Sequence, residues 1–167
     1  ASAYEVTPIG VVLPESTADV AAVVEYCAGR EIPVLPRGGG TSLAGQTVNE
    51  AVVLDLSAEL DDVSAIDPES ATATAGAGTV VAELNAACEP HGLKFAPDPA
   101  WRDKSVLGGA IGNNSTGAHS LKYGKTDAYV ESCEAVLADG TVTRLGEECV
   151  GDLRERADPD GDIESRI

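Results

Sequence analysis

Residues 36–46 read Pro-Arg-Gly-Gly-Gly-Thr-Ser-Leu-Ala-Gly-Gln, a run suited to holding an anion against bare backbone. Three consecutive glycines carry an entropic penalty and offer no side chain to pack, so a folded chain that keeps them needs a compensating role. Successive amides in such a loop can form a nest for phosphate. Around them stand Arg37, Thr41, Ser42 and Gln46, a fixed cation, two hydroxyls and an amide that together suit a diphosphate. On this reading a valine at Gly39 is expected to fill the place of the phosphate. A flexible linker is the competing reading. It is disfavoured because the run joins two apolar, strand-like stretches.

A second stretch, Ser105 to Gly117, pairs Gly108 with Gly109 and adds Gly112, Asn113, Asn114, Ser115 and Thr116. No Asp or Glu occurs from Ser105 to Lys125, in a chain with 28 acids against 11 bases. A polyanion or an electron-rich ring can lie there without repulsion. An irregular, amide-capped loop is the plainer alternative.

Other matches fail on spacing. Gly76-Ala77-Gly78 resembles the start of a dinucleotide fingerprint, but the third glycine is replaced by Val81. Gly124-Lys125-Thr126 resembles the end of a P-loop, but His119 stands where its first glycine is required. Cysteines 27, 88, 133 and 149 form no C-x-x-C pair, so no zinc or iron–sulfur site is expected within this chain. Cys27 and Cys88 fall on apolar helical faces and read as buried thiols. His91 reads as a helix-terminal side chain, whereas His119 lies within the polar segment and could approach a ligand. No catalytic triad is supported, and no catalytic residue is assigned.

The elements that must position these loops follow from periodicity. Val11-Val12-Leu13 reads as a strand, and Ser16 with Asp19 as a capping-box start to a helix carrying Val20, Val23, Val24 and Cys27. Residues 32–35 and 52–56 are further strands, making a first α/β unit over 1–57. The second unit, 58–146, has a strand at 71–75, a helix over 79–90 ended by Gly92, and a short strand at Lys94-Phe95-Ala96. It closes with a hairpin, 133–138 and 141–145, in which Asp139-Gly140 signals a type I′ turn. Residues 147–167 read as a peripheral segment.

The formal charge of −17 disfavours nucleic acid and anionic membrane as partners. Its dispersed acids and few lysines resemble proteins of salt-loving, haloarchaeal type, where screening removes the self-repulsion. No stretch is long and apolar enough for a membrane span and no leader is visible, so a cytoplasmic location is expected. The chain starts at Ala1 and contains no Met, which suggests an excised domain.

In order and spacing, Pro36 to Gln46, Pro97-Asp98-Pro99 and Gly108 to Thr126 resemble the FAD-binding domain of FAD-linked oxidases, the PCMH-type fold of vanillyl-alcohol oxidase and p-cresol methylhydroxylase. The similarity is greatest to the D-lactate, glycolate and D-2-hydroxyglutarate dehydrogenase branch. It implies an α+β (α/β-like), two-lobed fold: a small βαββ lobe, then a mixed or antiparallel sheet with helices. It implies that Pro36, Arg37, Gly38, Gly39, Gly40, Thr41, Ser42 and Gln46 hold the FAD pyrophosphate. Pro97, Gly108, Gly109, Asn113, Asn114, Ser115, Gly117, Ser120 and Tyr123 would line the rest of the cofactor. It further implies a cap domain beyond this chain that binds substrate and, in longer members, an iron–sulfur region. The alternatives are an FAD domain serving sugar or lactone oxidation and a non-catalytic nucleotide-binding module. Covalent members carry His directly after the glycine triplet. Here that residue is Thr41, so FAD is expected to be non-covalent, and boiling or acid precipitation should release all of it. Colour remaining on the polypeptide would contradict this.

Overall fold

The computed structural model describes residues 4–146. The segment 147–167, with Cys149, lies outside the described residues. The chain opens with β1 (Gly10–Val12), α1 (Thr17–Ala28), β2 (Val34–Arg37) and β3 (Val52–Asp55). The capping box forms as its spacing requires: Ser16 Oγ accepts from the Asp19 amide, and Asp19 Oδ2 accepts from Ser16 Oγ and the Glu15 amide. The three strands make one parallel sheet in the order β1-β3-β2, with Val53 opposite both Val11 and Leu35. The central strand needs apolar residues on both faces, and Ala51, Val53 and Leu54 are all buried.

After β3 the chain forms β4 (Val63–Asp67), β5 (Thr72–Ala75) and α2 (Val81–Cys88), followed by α3 (Leu107–Gly112), α4 (Ser120–Tyr123), β6 (Ser132–Val136) and β7 (Val142–Gly146). Strand β4 has no counterpart in the sequence reading. Its pairing with β5 shifts between Val63 and Ala65, and that bulge breaks the alternation by which a strand is recognised. The strand expected at residues 94–96 does not form. The Phe95 amide donates to Asn85 Oδ1 (2.8 Å), a side chain of α2, rather than to a neighbouring strand.

The closing hairpin forms with a different turn. Gly140 has φ +89° while Asp139 stays out of the left-handed region, so the two positive φ values of type I′ are not met. Leu137 and Thr141 close a three-residue loop instead, through a Leu137 N–H to Thr141 carbonyl bond (2.8 Å). A Cβ at Gly140 would meet Glu25 and Ala21 of α1, so the turn packs on that helix.

Neither misleading glycine motif is idle. Gly76 and Gly78 lie so close to the Leu60 and Leu56 carbonyls that no side chain fits, and their amides bond to Asp62 and Leu60 (2.8 and 2.7 Å). Thr126 of the Gly-Lys-Thr run is fully buried and donates to the Ser115 carbonyl (2.9 Å). Among the described residues no helix is long and apolar enough to cross a membrane, and no cluster of side chains is arranged for a metal.

Leu54 is 1% exposed at the centre of the sheet that carries the glycine loop. Leu54→Ala is expected to cost about 2–5 kcal/mol in urea unfolding. A loss below about 1 kcal/mol would mean that β3 does not anchor the core.

Candidate functional site

Strand β2 ends at Arg37, whose carbonyl takes the last ladder bond from the Leu56 amide (2.9 Å). The glycine run therefore leaves the carboxyl end of a parallel strand, the edge where ligands of open α/β sheets bind. A cleft of about 320 Å³ opens there. One wall holds every residue expected of the first block: Pro36, Arg37, Gly38, Gly39, Gly40, Thr41, Ser42 and Gln46. The other holds Gly109, Asn113 and Ser115 of the second block. The two glycine-bearing stretches thus face one cavity.

Their approach explains why glycine is needed. A Cβ on Gly38 would collide with Val106 Cγ2, and one on Gly39 with the Lys104 carbonyl oxygen. Gly40 has φ +64° with the Arg37 guanidinium against it. At Gly39, expected to lie against a phosphate, the structure shows a further constraint: a side chain there enters the opposing Lys104 backbone. The amides of Gly38, Gly39, Thr41 and Ser42 donate to no acceptor among the described residues. A row of unpaired amides along a cleft fits an anionic group.

Hydrogen bonds hold the walls together. Thr41 Oγ1 and Ser105 Oγ lie 3.3 Å apart, and Gln46 Nε2 donates to Asn113 Oδ1 (2.5 Å). Asn113 in turn donates to the Gly109 carbonyl (3.0 Å). The second wall is fixed from behind, because the Val81, Ala82, Leu107 and Gly108 amides bond across to the Ser105, Arg102, Thr79 and Ala77 carbonyls at 2.8–3.1 Å. Among the described residues Arg37 is the only charged side chain in the walls, and no carboxylate lines them. In a chain of −17 that exclusion favours an anion.

The remaining expected residues stand outside the walls, mostly as supports. Gly108 packs on Ala77, and Gly117 presses on the Asp98 and Pro97 carbonyls. Ser120 Oγ accepts from the Gly117 amide (2.7 Å). Pro97 is buried in the corner beneath. Asn114, at φ +44°, accepts from the Asp127 amide (3.0 Å), and the Tyr123 carbonyl accepts from Tyr129 (2.8 Å).

Thr47, Pro99, Ala100, Trp101, Ser105, Val106, Ala110 and Thr116 complete the walls without having been singled out as contacts. Four of them fall in the acid-free run and two in or beside the Pro-Asp-Pro corner, so the regions were signalled but not the individual residues. Trp101, the only tryptophan of an aromatic-poor chain, carried a signal of its own.

Asp98 is the hub of the support. It adopts φ +48°, is 9% exposed, and accepts from Arg102 Nη1 (3.2 Å) and His119 Nδ1 (2.9 Å). His119 therefore ties Gly117–Ser120 to the 97–99 corner and does not line the cleft. Burial pushes the Asp98 carboxyl up, but the bonds from Arg102 and His119 and the charges of Lys94 and Arg102 outweigh it and hold the group below the usual carboxylate range.

Residues 8–146 match the family described as FAD binding domain. The chain belongs to that family. It is 35% identical over 151 residues to the glycolate oxidase subunit GlcD of Bacillus subtilis, covering 90% of this chain and 32% of the relative. It is 37% identical over 144 residues to a D-2-hydroxyglutarate dehydrogenase of Escherichia coli, covering 84% and 14%. Among solved structures, an alkyldihydroxyacetonephosphate synthase superposes with TM-score 0.70 and 27% identity over 82% of this chain and 25% of the other. The chain thus spans a third or less of these proteins. Its α+β architecture is that of the PCMH-type FAD domains, and its cofactor is FAD. Among the described residues, the cleft fits that group through the unpaired Gly38, Gly39, Thr41 and Ser42 amides, a single Arg and no carboxylate.

Two outcomes test the site. Gly39→Ala should lower the thermal midpoint and weaken FAD binding, while Gly112→Ala, with nothing within 4 Å of the new methyl group, should change neither. Equal effects at both positions would contradict the close-approach account. For Asp98 the folded state favours the carboxylate, so the stability this gives is present above the unfolded carboxylate value and lost as pH falls through the folded one. Asp98→Asn should therefore be less stable than wild type at pH 7 in urea unfolding, with the gap narrowing as pH falls below about 4, the ordinary carboxylate range. A gap independent of pH would contradict the ionic role.

Proposed function

We propose that this chain is the FAD-binding part of a flavin-dependent dehydrogenase of 2-hydroxy acids of the lactate, glycolate or 2-hydroxyglutarate type. The observation that carries the binding reading is the cleft itself: two glycine-bearing walls in which, among the described residues, the Gly38, Gly39, Thr41 and Ser42 amides meet no acceptor, Arg37 is the one charged side chain and no carboxylate is present. The names of the relatives, a glycolate oxidase subunit and a D-2-hydroxyglutarate dehydrogenase, support the substrate class.

On this reading Gly38–Ser42 and Arg37 hold the diphosphate, Gln46 braces Asn113, and Gly109, Asn113 and Ser115 line the remainder. Pro97, Gly108, Asn114, Gly117, Ser120 and Tyr123 complete the cofactor site, most of them by holding the second wall in place. FAD when bound supplies a hydride acceptor, and the chain's own residues position it and keep carboxylates away. Thr41 offers no imidazole for a covalent link, so the flavin is held non-covalently. Residues 1–57 and 58–146 are the two lobes, and 147–167 leads toward a substrate-binding cap domain and, in a long version, an iron–sulfur region. The dispersed acids suit a haloarchaeal cytoplasm.

Equilibrium dialysis in molar KCl should show saturable FAD binding, with ADP alone weaker by at least tenfold. Equal affinity for ADP and FAD would favour a plain nucleotide-binding module. In the full-length flavoprotein, anaerobic addition of a 2-hydroxy acid should bleach the flavin absorbance. Bleaching by sugars or lactones alone would overturn the substrate class.

A further inference from the structure

Trp101 stands out among the walls of the cleft. Among the described residues it is the only aromatic one lining the cleft, and it is the only tryptophan in the chain, yet it is 50% exposed. The remaining walls are mostly small: glycine, alanine, serine, threonine and proline. A large apolar ring left open inside a concave site, in a chain with one Phe and four Tyr, is surface kept for a ligand.

Its position is fixed by the same contact that forms the cleft. The Trp101 carbonyl accepts from the Lys104 and Ser105 amides (2.8 and 2.7 Å), closing a tight turn, and the Lys104 backbone of that turn is pressed against Gly39. The Arg102 amide bonds to the Pro99 carbonyl (3.0 Å), tying the turn to the buried corner. Lys104 Nζ stands 5.8 Å from the ring centroid. The ring is thus held on a braced turn beside the amides proposed for the diphosphate.

We propose that Trp101 is the stacking platform for a ring of the bound dinucleotide. The inference rests on the FAD reading above and extends it to a residue outside the glycine motifs. A diphosphate seated on Gly38–Ser42 carries a flat ring system at either end, and Trp101 is the one aromatic side chain among the described wall residues on which such a ring can stack. Stacking of a flat base on an aromatic side chain sets the expected size of the effect, roughly tenfold to hundredfold in affinity.

The experiment uses this chain, in which Trp101 is the sole tryptophan reporter. FAD affinity is measured by equilibrium dialysis for wild type, Trp101→Phe and Trp101→Leu, with circular dichroism to verify folding. Acrylamide quenching of Trp101 emission is measured in the wild type with and without ligand. The proposal predicts affinity falling in the order Trp, Phe, Leu, with at least a tenfold loss at Leu, and protection from acrylamide when FAD is bound. Protection by FMN assigns the flavin ring to Trp101, and protection by ADP assigns the adenine. Either supports the platform. Wild-type FAD binding with unchanged acrylamide access, and affinities within about twofold across the series, would overturn the inference while leaving the cofactor reading intact. Failure of the folded wild type to bind FAD would overturn both.

Discussion

The approach of Gly39 to the Lys104 carbonyl is the constraint on which the rest of the site depends. Two loops from different halves of the chain meet there at a separation that excludes any Cβ. Everything in the cleft follows from that contact. It sets Thr41 opposite Ser105, brings Gln46 to Asn113, and holds the Trp101 turn against the glycine wall. The triplet therefore does two jobs. At Gly39 the missing side chain lets backbone meet backbone, and the amides of Gly38 and Gly39, which donate to no acceptor among the described residues, are left for an anion.

The same division runs through the second stretch. Gly109 lines the cleft, whereas its neighbour Gly108 packs on Ala77 and bonds to its carbonyl (2.8 Å). Gly117, Ser120 and Asn114 act through hydrogen bonds and close packing that hold the wall, with Asp98 as the buried hub. A motif of this kind mixes residues that touch a ligand with residues that shape the loop, and spacing alone does not separate them. Charge is divided as well: carboxylates cover the surface freely, yet among the described residues none reaches the walls.

Much of this was legible in the sequence because the signals are local. The Ser16–Asp19 capping box, the valine-rich strands and Gly92 as a left-handed helix stop all depend on near neighbours. The two halves of the cleft were legible from composition, since consecutive glycines and an acid-free run are costly or improbable without a cause. What escaped depends on distant partners. Asn85 takes the Phe95 amide and so removes the strand at 94–96, and a bulge hides β4. The Asp139-Gly140 turn takes its three-residue form with α1 packed against Gly140, a partner far away in sequence. The close approach of Gly39 to Lys104 escaped for the same reason, since nothing near it in sequence announces Lys104.

The most direct test of the central claim is an FAD titration of the isotopically labelled chain followed through its backbone amide resonances. The account predicts that Gly38, Gly39, Thr41 and Ser42 shift together with Gly109 and Ser115 in one saturable process, because both walls hold the same ligand. Shifts confined to one wall, or centred on the β6–β7 hairpin instead, would contradict it.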